Sequence, residues 1–286
     1  MGETSRPSRQ LVETSDLAAV LCYPRPEPSE FQARILELSS IGVDTIELTG
    51  TKTIGRARVL GKGCVGIVVK ARMRNNSVAV KIRRTDANRL NMDHEATMLQ
   101  LANSVGIGPK LLAKSSNFLI MELVNGIPLK QWTLLLPNSG CKRRVRKMLT
   151  RLLDDCFSLD KIGLDHGELS EAPKNVLVES KDRPRIVDFE SASDNRRPSN
   201  VTSIAQYLLI GGGPAKRLRA ILRWRRKRSL ISALRDYKQH PDEQRYRKIK
   251  NTVDLQTSRS ITIAETSRFP LNATSRISWD PGRGRT

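Results

Sequence analysis

The chain has 286 residues, of which 38% are hydrophobic and 4% aromatic, so it can bury a sizeable core in one large domain or two smaller ones. No apolar run approaches the roughly 18 residues that span a bilayer, and the N-terminus lacks the apolar core of a signal peptide. The cysteines are far apart and form no C-x-x-C pair, which argues against a metal site or a disulfide framework: Cys22, Cys64, Cys141 and Cys156. We therefore expect a cytoplasmic protein with reduced thiols.

The charge is strongly positive, with 50 lysines and arginines against 29 aspartates and glutamates and a formal net charge of +21. It is also uneven, because eight basic residues and no acid lie between Lys216 and Arg228, with Trp224 among them. Uncompensated basic charge favours polyanions through phosphate neutralisation and counterion release. The stretch therefore predicts binding of RNA or a ribonucleoprotein, and the solvated face of an amphipathic helix would give the same pattern.

The first part of the chain changes from polar to strand-like. Residues 1–27 are rich in Ser, Pro, Arg and Glu, which predicts a flexible N-terminal arm. Apolar residues at helical spacing over 31–38 predict a helix, and several short apolar runs then predict antiparallel strands, with a hairpin turn at 75–77. A second helix is predicted over 94–101. We assign residues 28–124 to an N-terminal lobe made of this sheet and these helices.

The second part of the chain is mainly helical. Apolar residues recur at three- and four-residue steps in three segments, over 145–159, 201–210 and 215–237. Ser199-Asn200 is the predicted N-cap of the middle segment. We assign residues 125–250 to a reduced helical lobe, and residues 251–286, which are rich in Ser, Thr and Arg, to a disordered tail.

A glycine-rich loop with the pattern G-x-G-x-x-G lies between two predicted strands: Gly61, Lys62, Gly63, Cys64, Val65 and Gly66. Glycines there let the backbone approach phosphates without Cβ collisions, and the position differs from the strand-to-helix turn of a dinucleotide site. Fifteen residues after Gly66, Lys81 ends V-A-V-K, where a lysine that pairs with the α- and β-phosphates of ATP is expected. An edge lysine reaching solvent would give the same local pattern. Glu95, on the next helix, can hold Lys81 in an ion pair.

The stretch over residues 164–190 carries the other candidate chemistry. Two short apolar runs in it are separated by polar residues that end in proline, which predicts a hairpin. The residues before its first strand then lie near those after its second, which brings Glu168, Asn175 and Asp188 into one small space. A proton acceptor and two oxygen ligands are what divalent-metal phosphoryl transfer needs. Solvated turn residues would look the same.

The order of these motifs resembles that of the protein-kinase fold over roughly residues 45–235: glycine loop, V-A-V-K, helix glutamate, M-E-L connector, H-G-E and D-F-E. H-G-E-L-S followed by D-F-E-S-A-S resembles the small atypical kinases related to Rio and to the kinase subunit of the KEOPS complex. It is similar to an archaeal group described as predicted serine/threonine protein kinases. The resemblance implies a two-lobed α+β fold, with an antiparallel β-sheet N-lobe and a reduced helical C-lobe, and binding of ATP and Mg²⁺.

The same resemblance implies which residues surround the nucleotide. Glu122 and Leu123 would form the hinge that pairs with adenine, and Val68 and Ala79 would cover the purine. His166 would be a structural histidine.

It also implies that Glu168 is the catalytic base and that Asn175 and Asp188 bind magnesium, but the sequence departs from the family at two points. The base is usually aspartate, and it usually precedes the metal asparagine by five residues, whereas seven separate Glu168 from Asn175 and Pro173 stands at the expected site. Either Asn175 reaches the metal after a two-residue bulge, or another group such as Ser170 does so.

The segment after D-F-E is too short for an ordinary activation loop and contains no A-P-E. We expect phosphoryl transfer from ATP to protein serine or threonine, including autophosphorylation. The alternatives are a Rio-like ATPase or scaffold in RNA or ribosome maturation, a small-molecule kinase similar to aminoglycoside phosphotransferases, and a nucleotide-binding pseudokinase.

Overall fold

The computed structural model describes residues 14–211 and 213–255, and the first half of this part of the chain is built on antiparallel strands. The strands of that half are β1 (Val43–Glu47), β2 (Lys52–Ile54), β3 (Ala57–Val59), β4 (Gly61–Lys62), β5 (Gly66–Met73), β6 (Asn76–Arg83), β7 (Leu111–Lys114) and β8 (Phe118–Glu122). β2 and β3 form a separate pair. The others form one sheet in the order β1-β5-β6-β8-β7, with β4 paired to β5.

The β5–β6 hairpin decides which way Lys81 points. Its turn residues, Arg74 and Asn75, have φ values of 49° and 66°, as two-residue hairpin turns require. The turn therefore lies one residue earlier than the predicted 75–77, and Asn76 already belongs to β6. Side chains alternate along a strand, so Val80 packs into the N-terminal core while Lys81 faces the opposite side of the sheet.

Three helices accompany this sheet: α1 (Thr14–Leu21), α2 (Pro28–Ser40) and α3 (Asp93–Ser104). Helix α1 corrects the prediction of a flexible arm over residues 1–27, because Val20, Leu21 and Cys22 are fully buried in the N-terminal core. Although the arm is polar overall, its short apolar run over residues 20–22 is long enough to pack one helix against the core. Residues 1–13 lie outside the described residues.

The buried guanidinium of Arg34 ties α2 to the rest of the N-terminal half. Arg34 is fully buried, and it donates to Glu30 Oε1 at 2.6 Å, to the Leu21 carbonyl at 2.7 Å, to the Arg83 carbonyl at 2.6 Å and to Asn117 Oδ1 at 3.2 Å. One side chain thus joins the end of α1, the end of β6 and the β7–β8 turn.

The second half contains helices α4 (Leu129–Leu135), α5 (Lys142–Lys161), α6 (Ala172–Asn175), α7 (Asn200–Ala205), α8 (Ala215–Leu222), α9 (Lys227–Gln239) and α10 (Glu243–Thr252). It also contains a three-stranded sheet made of β9 (Gly126–Pro128), β10 (Val176–Glu179) and β11 (Arg183–Ile186), in the order β11-β10-β9. The apolar face of α5 is central to the core and includes Val145, Met148, Leu149 and Leu152. The predicted α+β fold with a sheet lobe and a helical lobe is confirmed.

Helix α7 is capped differently from the prediction. Ser199 occupies the cap position, but its side chain makes no capping hydrogen bond. The carboxylate of Asp160, on α5, instead accepts from the backbone N–H groups of Asn200 at 3.0 Å and Val201 at 3.3 Å. Tyr237 also donates its hydroxyl to Asp160, at 2.9 Å. The cap thereby fixes α7 to α5 as well as satisfying its first N–H groups.

The predicted helix over 215–237 is broken. Arg223 has a φ of 53° and ends α8, and the chain re-enters a helix only at Lys227. Between them Trp224 turns into the core, where it is 7% exposed and its indole N–H donates to the Thr252 carbonyl at 2.7 Å. A buried indole N–H needs such a partner. The two residues are 28 positions apart, so the local apolar spacing does not reveal the contact and predicts a continuous helix instead.

The C-terminal boundary lies beyond the predicted residue 250. Val253 and Leu255 are buried in the core of the helical lobe, so the lobe extends to Leu255. Residues 256–286, the remainder of the predicted tail, lie outside the described residues.

All four cysteines are free thiols, and only Cys64 is exposed. None of the helices over 14–211 and 213–255 is long and apolar enough to cross a bilayer.

Replacing Arg34 by Met should lower the free energy of unfolding by about 3 kcal/mol, because buried carbonyl and amide oxygens would lose a charged donor. Arg72→Met is the matched control, since Arg72 is half-exposed and pairs with Glu47 at 3.3 Å. Exposed ion pairs contribute about 0.2–1 kcal/mol. Urea unfolding midpoints measure both, and equal losses would show that the Arg34 network is not a stabilising element.

Candidate active site

A cavity of about 1020 Å³ lies between the sheet and the helical lobe. Its walls are contributed by the glycine loop and the sheet on one side and by the β10–β11 hairpin on the other. The chain between β8 and β9 closes its rear. Predicted site residues that line it are Gly61, Val68, Ala79, Lys81, Glu95, Glu122, Leu123 and Asp188. A largely apolar cleft that also carries charged groups is the usual form of a small-molecule site.

The carboxylate of Glu122, which is predicted to lie in the hinge, contacts both lobes, since it also accepts from the Lys110 N–H at 3.1 Å. Arg185, on β11, donates to Glu122 Oε1 at 3.0 Å and to Oε2 at 2.6 Å, and also to the Gly108 carbonyl at 2.9 Å. These hydrogen bonds hold the pKa of Glu122 below its usual value. The part of Glu122 and Leu123 that a ligand in the cavity would meet is therefore backbone and apolar surface. Sequence reasoning did not find Arg185.

The glycine loop folds closely over Lys81. The Gly63 N–H donates to the Gly66 carbonyl at 2.8 Å, which closes the tip of the loop. A Cβ atom on Gly66 would lie 2.9 Å from Lys81 Cε, so only glycine fits there without moving the lysine. Val65 is buried and Cys64 is exposed.

The loop is supported from below by the N-terminal segment that was predicted to be flexible. Lys62 Nζ lies 4.4 Å from the centre of the Tyr23 ring, and the Arg84 guanidinium lies 4.9 Å from it. Arg84 also donates to the Gly63 carbonyl at 3.1 Å. The side chain of Lys62 is thus engaged by Tyr23. The backbone of the loop is what remains to bind a phosphate.

Lys81 lies at the centre of a cluster of three carboxylates. Its ammonium is 2.8 Å from Glu95, 2.8 Å from Asp188 and 3.0 Å from Glu190. Lys81 and Glu95 are buried, at 3% and 4% exposure, whereas the Asp188 side chain is 42% exposed. Lys81 lines the cavity with only 3% of its surface exposed, because the glycine loop covers it from above and α3 from the side. The predicted pairing of Lys81 with Glu95 is present.

The cluster has an excess of negative charge. Burial by itself lowers the pKa of Lys81, but the neighbouring carboxylates outweigh it and raise the pKa above its usual value. Burial likewise raises the pKa of Asp188, but the charge and hydrogen bond of Lys81 bring it below its usual value. Three carboxylates around one ammonium leave two negative charges for a divalent cation to balance.

The donor set fits Mg²⁺. Oxygens of Glu95, Asp188 and Glu190 lie within 4.8 Å of one another, and Mg²⁺ prefers hard carboxylate oxygens. Because the Glu95 side chain is 5% exposed, whereas those of Asp188 and Glu190 are 42% and 18% exposed, Asp188 and Glu190 are the carboxylates that would bind the ion. The sequence analysis missed Glu190, although its position two residues after Asp188 is a usable signal.

Glu168 is held by two side chains beside this cluster. Its Oε2 accepts from the Asn175 amide at 3.1 Å, and its Oε1 accepts from the Ser191 hydroxyl at 2.6 Å. A 3₁₀ turn over Leu169–Glu171 and helix α6 take up the two additional residues of the loop and return Asn175 to Glu168. The Asn175 carbonyl also accepts from the Val187 N–H at 2.9 Å. Asn175 thus lies beside both Glu168 and the strand that leads to Asp188. Its role as a metal ligand stays a prediction.

The segment after Glu190 is folded back onto the loop over residues 165–171, which we call the catalytic loop because it carries the predicted base Glu168. Asp165 and Ser193 exchange backbone hydrogen bonds of 2.9 and 2.8 Å, and Arg196 donates to Asp165 at 3.1 Å and to the Ser191 carbonyl at 2.6 Å. Gly167 makes this approach possible. Its φ is +84°, and a Cβ there would lie 2.7 Å from the Ser191 carbonyl oxygen.

His166 connects the catalytic loop to the segment that carries Asp188. Its ring is fully buried, lies 3.1 Å from the Val187 carbonyl and packs 5.0 Å from the Phe189 ring. Its backbone N–H donates to Asn200 Oδ1 at 2.9 Å. Burial lowers the pKa of His166, which favours the neutral ring. Its contacts with Val187 and Phe189 are those of a structural residue.

A glycine loop over a buried Lys–Glu pair, a hinge, a catalytic loop and a D-F-E segment on one cleft define an atypical protein-kinase-like fold with an ATP-binding, kinase-type function. Residues 67–205 match the family model described as RIO domain, so this fold is Rio-like. The match begins just after the glycine loop and ends with α7. The resemblance inferred from the sequence is thereby confirmed.

Among solved structures, the chain is similar to the Rio2 kinase-ADP/Mg²⁺-phosphoaspartate complex from Chaetomium thermophilum, at 16% sequence identity and a TM-score of 0.45. The likeness covers 79% of this chain and 75% of that chain. It is too distant to assign any residue or ligand here. No curated protein sequence matches the chain.

Gly167→Ala should detach the segment over 191–196 from the catalytic loop. The change adds a left-handed alanine, at a cost of about 1–2 kcal/mol, and a collision with the Ser191 carbonyl. Gly163→Ala is the matched control, because Gly163 has a φ of +78° and nothing within 4 Å of its added Cβ. We expect faster amide exchange over 191–196 in Gly167→Ala alone, and equal exchange in both variants would contradict the packing described.

Proposed function

We propose that the protein is an atypical serine/threonine protein kinase, which transfers the γ-phosphoryl group of ATP to a serine or threonine hydroxyl with Mg²⁺ as cofactor. The observation that supports this most is the Lys81 cluster, of which Lys81, Glu95 and Asp188 line a cavity of nucleotide size. The sequence resemblance supports a protein acceptor, and the composition supports a cytoplasmic location.

In this mechanism, positioning and charge neutralisation do most of the work. The backbone of the glycine loop binds phosphate oxygens, and Lys81, oriented by Glu95, pairs with the α- and β-phosphates. Mg²⁺, when bound by Asp188 and Glu190, supplies neutralisation of the charge on the phosphates. Glu168, fixed by Asn175 at 3.1 Å, orients the acceptor hydroxyl and takes its proton.

Asp188→Asn tests the assignment of the cleft. Asparagine keeps the shape of the side chain and tolerates the left-handed φ of 68° at this position, while the charge that would bind the metal is lost. We expect ADP formation with Mg²⁺ and γ-labelled ATP to fall by roughly 100-fold or more, as for other electrostatic groups of active sites. Lys81→Ala is less informative, because an unpaired buried Glu95 would cost about 3–5 kcal/mol of stability.

Asp236→Asn is the control for that experiment, since Asp236 pairs with Lys248 on the surface at 2.8 Å. Near-normal turnover by Asp188→Asn would overturn the assignment of the cleft. Label on protein separates kinase activity from ATP hydrolysis, which releases free phosphate.

The Glu168 side chain offers a second test, because its carboxylate and not its shape is what accepts the proton. Glu168→Gln should lower phosphoryl transfer by about 100-fold, within the range for general bases, whereas Glu168→Asp should retain part of it. Initial rates at saturating ATP measure the difference. A glutamine variant as active as the parent would leave Glu168 as a structural residue and favour a different acceptor of the proton.

A second proposal concerns the basic stretch, which we infer binds RNA or a ribonucleoprotein. Two of its eight cations are used internally, since Arg217 donates to the Leu136 carbonyl and Arg219 donates to the Leu209 and Ile210 carbonyls. The other six are exposed, one at the start of α8 and five at the α8–α9 junction, and form what we call the basic patch: Lys216, Arg223, Arg225, Arg226, Lys227 and Arg228. Lys227 and Arg228 lie in the first turn of α9, where the helix dipole adds to their repulsion, and a polyanion would relieve it.

Replacing Arg225, Arg226 and Arg228 by Gln should weaken binding to single-stranded RNA and flatten its salt dependence, by roughly one unit of log–log slope for each phosphate that is no longer neutralised. ATP binding should not change, because no residue of the basic patch lines the cavity. The triple change Lys52, Arg58 and Arg72 to Gln removes the same charge from exposed residues of the sheet lobe. If both triple variants lose affinity equally, net charge and not the basic patch binds the RNA.

A further inference from the structure

Ser191 places a hydroxyl group where an acceptor hydroxyl would lie. Its Oγ donates to Glu168 Oε1 at 2.6 Å, within the distance at which a general base takes a proton. The other carboxylate oxygen of Glu168 accepts from Asn175. The base is therefore oriented on one side by the asparagine and faces a serine of its own chain on the other.

This contact is built into the backbone on both sides of Ser191. The preceding residue, Glu190, reaches Lys81 at 3.0 Å, and the Ser193 backbone pairs with Asp165. Arg196 holds the Ser191 carbonyl at 2.6 Å. Two consecutive residues thus contact the two groups of the cleft. Glu190 contacts Lys81, and Ser191 contacts Glu168.

The catalytic loop is also shaped to admit Ser191. A Cβ on Gly167 would lie 2.7 Å from the Ser191 carbonyl oxygen and 2.6 Å from Arg196 Nη2, so any larger residue would exclude the segment. The segment between Glu190 and α7 is short, and the backbone pair of Ser193 with Asp165 holds it beside this loop. It occupies the place beside the base that an external acceptor would need.

We propose that Ser191 is itself a phosphoryl acceptor and that the chain phosphorylates it intramolecularly; this rests on the proposed kinase function and names one of its acceptors. MgATP is the co-reactant. A bond forms between Ser191 Oγ and the γ-phosphorus while the bond from that phosphorus to the β,γ-bridging oxygen breaks. ADP leaves with the electron pair, and the hydroxyl proton passes to Glu168 Oε1.

The product would change the site that made it. A phosphoserine carries a charge of about −1.5 to −2, and here it would stand beside the Glu168 carboxylate and next in the chain to Glu190. Repulsion would drive it away from Glu168, toward the Arg196 guanidinium that already contacts the Ser191 backbone. The base would then be free for an external hydroxyl, so the modification would open the acceptor site.

The test is phosphopeptide mapping after incubation of the full chain with Mg²⁺ and γ-labelled ATP over a wide range of protein concentration. We expect label on Ser191, up to one phosphate per chain, with a first-order rate constant independent of protein concentration. Ser191→Ala should lose this label. Ser193→Ala should keep it, because the Ser193 hydroxyl accepts from the Asn195 N–H at 3.2 Å and makes no contact with Glu168 among the described residues.

Two further measurements separate this inference from the proposed function. ADP formation with label confined to other residues, or with free phosphate alone, would overturn the assignment of Ser191. A rate constant at Ser191 that rises with protein concentration would overturn the intramolecular step. If no ADP forms while a fluorescent ATP analogue still binds, the proposed kinase function fails together with this inference.

Discussion

The ammonium of Lys81 is the group on which the rest of the cleft depends. It comes from the central strand β6 and is contacted by carboxylates from α3 and from the segment after β11. Lys81 and Glu95 are buried, and either of them left unpaired would cost several kcal/mol, so the three elements hold one another in place. The register of β6 decides this, because a shift of one residue would turn Lys81 into the apolar core and Val80 into the cavity.

A second constraint is the shortness of the chain between the D-F-E segment and α7. The segment has no room to form a loop of its own and instead pairs with the catalytic loop at Asp165 and Ser193. This pairing requires a residue without a side chain at Gly167. The consequence is that consecutive residues, Glu190 and Ser191, contact Lys81 and Glu168.

The sequence predicts the parts of this fold that depend on local pattern. Strand and helix periods, the glycine loop and the order of V-A-V-K, H-G-E and D-F-E are each visible within a few residues, and the lobes follow from them. What it does not reveal depends on contacts distant in sequence. The docking of α1, the contact of Tyr23 with the loop and the break at Trp224 each join residues that are far apart in the chain.

The candidate site divides in the same way. Lys81, Glu95 and Asp188 converge as their motifs predict, because a hairpin and a helix place them with little freedom. Glu190 and Ser191 were passed over, since their roles follow from the direction in which the short segment folds back. Lys81 proved buried because the loop above it is closed by glycine-to-glycine pairing that composition does not show.

The two lobes meet at a second point besides the chain of the hinge. Arg185 is 9% exposed and bonds to Glu122 at the end of the sheet and to Gly108 ahead of β7. Rotation of the lobes about these two neighbouring attachments would leave the rear of the cavity almost stationary and would move the tip of the glycine loop most. It would also have to break the contacts of Lys81 with Asp188 and Glu190. Entry of a nucleotide would then require movement of the loop, while the groups that meet the purine keep their spacing.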